Sequence, residues 1–199
     1  MTAVKPFSEA CARNQDPILA ELRELFASCR SVLEIGSGTG QHAVHMGEHL
    51  PHLIWQTSDL TENHPGIRAW VSEANLPNVK PPILLDVSEQ PWSVTYADAV
   101  FSANAIHIVS WELVCCMLHG VGNVLASGGL FCTYGPYIYG GKHTSESNVQ
   151  FDGWLKERDP ASGVRDVDDL RRVAQEVDLV LEDDRELPAN NRILVWRKR

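Results

Sequence analysis

Three glycines alternate with a serine and a threonine in Gly36-Ser37-Gly38-Thr39-Gly40, directly after a short β-rich run at residues 31–35. Glycine permits backbone angles and close approaches that a Cβ would block, and a loop between strand and helix aims amides at a ligand. Asp59 closes the next apolar run. A carboxylate there can accept two hydrogen bonds from a vicinal diol, and charge-assisted bonds contribute about 1.5–3 kcal/mol. Asp86 closes a third run, Asn104 and His107 a fourth, Tyr134 a fifth. In an open α/β sheet, ligands bind outside the carboxyl ends of the strands, so these residues outline a crevice. Strand ends also collect polar turn residues, an alternative that covers any one of them better than all five. His107, with an ordinary pKa near 6.5, is either a proton acceptor or a buried histidine bonded to backbone. Tyr134 and Tyr137 could orient an acceptor.

The pattern around these residues supplies the elements. Asp16-Pro17 predicts a helix start, a capping acid followed by proline at the first helical position. Ile18, Leu19, Leu22, Leu25 and Phe26 then recur at helical spacing. Residues 41–50 read as a helix stopped by Pro51. Strands are predicted at 53–57, 82–86, 97–102 and 129–134, and helices at 67–74 and 111–125. Asp166 caps a helix to Val177, with Asp169 in the place of a capping-box acid. Strands at 179–182 and 193–196 flank the turn Pro188-Ala189-Asn190-Asn191, spaced as a hairpin. Alternating strands and helices imply a mostly parallel sheet covered on both faces.

The chain has 199 residues, with 44% hydrophobic and 22% charged residues, which suits one domain spanning 1–199. Its net charge of −9 repels phosphate backbones, so nucleic acid is not an expected partner. Six scattered tryptophans lack the basic interleaving of a nucleic-acid platform. No apolar run is long enough to span a bilayer, and the start has no apolar leader segment. Five cysteines without framework spacing suggest reduced thiols and a cytoplasmic location. His42, His45 and His49 share a helical stripe, but nothing around them supports a metal, and none is expected. Cys115, Cys116 and His119 read as packing residues.

The dinucleotide fingerprint G-x-G-x-x-G fails here, because the third glycine comes one place early and Gln41 holds its position. Glu34-x-Gly36-x-Gly38-x-Gly40 instead resembles motif I of the class I S-adenosylmethionine (SAM)-dependent methyltransferases. That resemblance implies SAM as cofactor, held by Glu34, Gly36, Ser37, Gly38, Thr39 and Gly40, with Asp59 and Leu60 at the ribose. It places Asp86 with the Val87 amide at the adenine edge, and Asn104 to His107 near the methyl group. Asn104-Ala105-Ile106-His107 lacks the Asn-Pro-Pro-Tyr pattern of amino-methylating nucleic-acid enzymes.

Nearly the whole length further resembles the methyltransferase-like protein 26 family, a domain-of-unknown-function group. The likeness rests on Arg13-Asn14 with Pro17-Ile18-Leu19, the run Leu33 to His42, Trp55-Gln56, Ser58-Asp59, Asn104 with His107-Ile108, and Tyr134-Gly135-Pro136-Tyr137. It continues in Ser145-Glu146-Ser147-Asn148, Phe151-Asp152, Arg165-Asp166 and Pro188 to Asn191, and departs at Thr57, where proline is expected. It implies a Rossmann-like three-layer α/β sandwich, its seven-stranded, mostly parallel sheet closed by an antiparallel last strand. An N-terminal helical segment, 1–30, and a lid-like insertion, 138–165, complete the expected domain. Arg13 and Asn14 either fold over the cofactor's carboxylate, where arginine pairs in bidentate fashion, or merely lead into the helix. Ser145, Ser147, Asn148, Asp152 and Arg165 either line an acceptor pocket or hold the insertion as caps and turns.

The expected function is transfer of the SAM methyl group to a small-molecule or protein acceptor. Catalysis would come mainly from positioning, with His107, Asn104, Tyr134 and Tyr137 at the acceptor. The alternatives are a catalytically silent SAM-binding or interaction protein, and a dinucleotide oxidoreductase, which the misplaced glycine disfavours.

Overall fold

The computed structural model describes residues 5–199; the first four residues of the expected 1–30 segment lie outside the described residues. In chain order the strands are β1 (Ser31–Ile35), β2 (Ile54–Asp59), β3 (Val79–Leu84), β4 (Ala97–Ala103), β5 (Leu125–Gly135), β6 (Ile138–Tyr139), β7 (Lys142–His143), β8 (Leu179–Leu187) and β9 (Asn191–Lys198). The helices are α1 (Glu9–Leu25), α2 (Gln41–His49), α3 (His64–Ala74), α4 (Ala105–Ile108), α5 (Trp111–Val124), α6 (Glu146–Arg158) and α7 (Val167–Gln175). Seven strands form one sheet in the order β3-β2-β1-β4-β5-β9-β8, and β6 pairs with β7 separately. Strand β1 runs parallel to β2 and β4, and β2 parallel to β3. The last strand, β9, is antiparallel to both β5 and β8. No described helix is long and apolar enough to cross a membrane.

Two compact units divide the chain, 5–86 with 97–101, and 87–96 with 102–199. In the first, β1 buries Val32, Leu33 and Ile35, α1 buries Ile18, Leu19 and Leu22, and α3 buries Ile67 and Val71. In the second, α5 buries Val114, Met117, Leu118 and Val121, β5 buries Phe131, and β9 buries Val195 and Trp196. Burying a side chain of this size contributes about 1.5–3 kcal/mol.

The first helix starts at Glu9, not at Asp16-Pro17. Ser8 caps it, accepting from the Cys11 amide, and Pro17 lies inside. An interior proline costs about 3 kcal/mol. Side-chain bonds from this extra length to α2, described below, offset part of that cost.

Strand β3 sits three residues earlier than expected because it pairs with β2 from Trp55↔Val79 onward. It is an edge strand, which tolerates Pro81 and Pro82 since neither has an N–H to contribute. The insertion 138–165 is not an open loop but a small hairpin and the 13-residue α6. The β8–β9 turn is tight, with Ala189 and Asn190 at φ 59° and 58°, both central residues left-handed as a type I′ turn requires.

Candidate functional site

In the first unit the glycine loop is held from below by its neighbour strand. The amides of Gly36 and Ser37 both donate to the Ser58 carbonyl, at 3.1 and 3.0 Å, and Gly40 N–H donates to the Ser37 carbonyl at 2.8 Å. Gly38 N–H donates to Asp59 Oδ2 at 2.7 Å. The other carboxylate oxygen of Asp59 accepts from the Leu60 amide at 2.8 Å and from Asn63 Nδ2 at 2.7 Å. Four loop amides are thus satisfied within the protein, which corrects the expectation that they point unspent at a ligand. What the loop offers is space: Gly38 is exposed at φ 57°, and a Cβ there would meet nothing within 4 Å. Gly40 differs, since a Cβ would sit 3.1 Å from the Ile67 Cα at φ 90°.

Glu34 lies beneath this turn, 2% exposed. Its Oε2 accepts from Ser37 Oγ at 2.7 Å and Trp55 Nε1 at 3.2 Å. Burial pushes its pKa up to about 7, the two hydrogen bonds oppose that, and the negative charge of Asp59 adds to it. Two acids and no phosphate-type amide nest therefore characterise this turn. Leu60 is exposed beside Asp59. Asp86 and Val87, both half-buried, follow β3, and the Leu85 amide ties that end to the Asp59 carbonyl at 3.1 Å.

Arg13 is exposed, and Asn14 serves α2 instead: His42 Nε2–H donates to Asn14 Oδ1 at 2.7 Å. Burial pulls His42 down to about 4, so the ring is neutral at pH 7. His45 lies 3.0 Å from Asp16. The histidine stripe is thus an α1–α2 seam. Gln41, which in the sequence only spoiled a fingerprint, joins the approach segment to the loop. Its Oε1 accepts from the Ser8 amide at 2.5 Å and Thr39 Oγ1 at 3.1 Å. Gln41 and Asn63 carried no sequence signal, because their partners are set by tertiary approach.

In the second unit Asn104 takes φ 60° between β4 and α4, a left-handed conformation that asparagine tolerates best among non-glycine residues. Its amide donates to the Tyr134 carbonyl at 2.8 Å, and its carbonyl accepts from the His107 amide at 3.0 Å. His107 is 0% exposed, and neither ring nitrogen has a hydrogen bond of ordinary geometry. Burial, then the nearby Arg165 charge, pull its pKa to about 3, against a smaller opposing pull from the Gly163 backbone. A neutral, sealed imidazole is a poor proton acceptor, so the expected role as a base is not the one this geometry favours. A Cβ on Gly135 would collide with His107 Nε2. Tyr137 is equally buried, its hydroxyl donating to Thr133 Oγ1 at 2.8 Å, and it is unavailable to orient an acceptor. Tyr134 is 4% exposed.

The segment 161–165 holds α4. Arg165 Nε donates to the Ile106 carbonyl at 2.9 Å and Nη2 to those of Val109 and Ala161. Gly163 N–H donates to the His107 carbonyl at 2.9 Å, and Ser162 Oγ to that of Ile108. Every carbonyl left over at the end of this short helix thereby finds a donor. Asp152 anchors the segment through the Val164 amide at 2.8 Å. Ser145 caps α6, and Asn148 bridges Thr144 Oγ1 and the Asn190 carbonyl, at 2.8 and 3.0 Å.

A family model described as protein of unknown function (DUF938) matches residues 5–198. The chain belongs to the DUF938 family. Solved structures similar to this DUF938 chain include an O-methyltransferase family protein from Burkholderia thailandensis, 15% identical with a TM-score of 0.83, matched over 96% of this chain and 57% of that one. Human N-acetylserotonin methyltransferase in complex with SAM is 13% identical, TM-score 0.76, over 96% and 53%. PigF with SAH is 14% identical, TM-score 0.80, over 94% and 56%. The DUF938 chain thus spans just over half the length of these structures. At such identities the likeness shows the fold, a Rossmann-like methyltransferase fold.

Proposed function

We propose that this DUF938 chain binds SAM at the 36–40 turn and is a SAM-dependent methyltransferase acting on a small-molecule or protein acceptor. The observation that carries the reading is the Asp59 carboxylate held at 2.7 Å by the Gly38 amide, under open space at Gly38. A dinucleotide would bring a pyrophosphate, for which this turn has few uncommitted amides. SAM brings a sulfonium, an amino-acid moiety and a ribose but no phosphate, which suits a turn flanked by Glu34 and Asp59. The SAM-bound and SAH-bound proteins of the same fold support this.

When bound, SAM supplies a methyl group whose S–C bond breaks as the acceptor's lone pair forms the new bond, leaving a thioether and, from an O–H or N–H acceptor, a proton. The protein's residues then have separate tasks. Asp59, with Leu60 beside it, receives the ribose hydroxyls, and its bonds to Leu60 and Asn63 fix its rotamer in advance. Gly36, Ser37, Gly38, Thr39 and Gly40 let the ligand approach backbone. Asp86 and the Val87 amide take the adenine edge, and exposed Arg13 takes the carboxylate. Within the second unit, His107 positions α4 against Gly135 rather than moving a proton. The closer kinship with the methyltransferase-like protein 26 family, and work in the cytoplasm, belong to the same proposal; no disulfide joins the described cysteines.

One observation favours the second reading, a SAM-binding protein without turnover: His107 and Tyr137 are both sealed. Incubation with methyl-labelled SAM and fractionated lysate separates the two. Label entering an acceptor with wild type but not Asp59→Ala supports the methyltransferase. Binding of SAM without label transfer supports the silent protein, and absence of binding refutes both.

A further inference from the structure

We infer that a cavity of about 460 Å³ within the second unit is a binding site for a small planar carboxylic acid. Its size falls in the range of roughly 300–1,000 Å³ common for small-ligand sites. Trp111, Ile138 and Val164 give it an aromatic and apolar wall. The charges around it decide what kind of ligand completes it.

Both acids of the lining are already met. Asp166 spends Oδ2 on the Gly141 amide at 2.7 Å and Oδ1 on the Asp168 amide at 2.9 Å, as cap of α7. Asp169 pairs with Arg172 one turn along the helix. Arg165 is different. Its Nε and Nη2 are committed to backbone carbonyls, Nη1 makes no hydrogen bond, and the guanidinium forms no ion pair with any described residue. Burial lowers its pKa, and Asp152 and Glu112 offset this only through space. A half-buried cation without a carboxylate partner is costly. Nη1 keeps two N–H groups, and one of them can donate a charge-assisted hydrogen bond to a carboxylate oxygen. An acid with a flat apolar body satisfies the cation and the Trp111 wall together.

The test titrates the protein, without SAM, with 4-hydroxybenzoate, phenylacetate and indole-3-acetate, each against its uncharged amide, by calorimetry and protein-observed NMR. The acids are expected to bind about tenfold tighter than the amides, the worth of one charge-assisted bond. Trp111→Leu is expected to weaken the acids by a similar factor while leaving the melting temperature close to wild type. Because Arg165 also holds α4, the acid–amide comparison on wild type replaces an Arg165 variant. Equal binding of acids and amides, no binding of either at millimolar concentration, or unchanged affinity in Trp111→Leu overturns the inference. A parallel SAM titration keeps the outcomes apart: acids that bind where SAM does not would leave the cavity site standing and remove the methyltransferase reading.

Discussion

Glu34→Gln is expected to stabilise the protein above neutral pH and to do so less as pH falls. The carboxyl is buried under the glycine turn, and its pKa stands at about 7 against an ordinary 4.5. Between those values the folded protein holds a proton that the unfolded chain has released, so wild-type stability from this group falls as pH rises from 4.5 to about 7 and is level above that. At about 1.36 kcal/mol per pH unit the full penalty is roughly 3 kcal/mol. The glutamine oxygen can still accept from Ser37 Oγ and Trp55 Nε1, while an unpaired amide N–H takes back about 1 kcal/mol or more. The pH-dependent part is independent of that loss. Urea unfolding of both proteins at about pH 5 and about pH 8 should show the variant's advantage growing by roughly 2–3 kcal/mol. His42 and His107, whose values are lowered to about 4 and about 3, tilt both proteins the other way, destabilising them as pH falls below 6.5, and cancel in the difference. An advantage that stays constant between the two pH values would refute the burial argument.

Gly38→Ala should cost only about 1–2 kcal/mol of stability, for a left-handed alanine, yet fill the space a ligand needs; an unchanged SAM affinity would contradict the role of that space. Gly40→Ala should cost more, because the Cβ meets the Ile67 backbone at 3.1 Å, and equal melting temperatures for the two variants would refute the distinction. Arg165→Met removes donors from three carbonyls and should cost about 3 kcal/mol in urea unfolding, a neutral result showing that α4 is held otherwise. His107→Leu deletes two buried unbonded nitrogens and should be near neutral in stability at pH 7 and more stable than wild type at about pH 5, since the depressed histidine loses stability as pH falls below 6.5; a loss above about 2 kcal/mol at pH 7 would show hidden bonding.

The glycine turn and Asp59 were legible in the sequence because local backbone demands dictate residue type there: strand, alternating glycines, helix, then an acid closing the next strand. The antiparallel β9 was legible from its short turn. The start of α1 was not, since proline at the first helical position is a general preference that contacts to His42 and His45 override. Helix α6 escaped because it inverts the usual pattern. Asn148 and Asp152 face inward beside Leu155, while Val149 and Trp154 are exposed, so apolar periodicity is absent. The residue type of His107 suggested a base, but only the fold shows that its ring is sealed, because burial depends on Gly135 and the 161–165 segment. Arg165 was read as a pocket residue or a structural one. It holds α4 through Nε and Nη2 and also lines the cavity.

Calorimetric titration of wild type and Asp59→Ala with SAM tests the central claim most directly. The account predicts saturable binding to wild type and an affinity lower by about tenfold to a hundredfold in the variant, the equivalent of roughly 1.4–2.8 kcal/mol. No binding to the wild-type protein, or equal affinity for both, would contradict it.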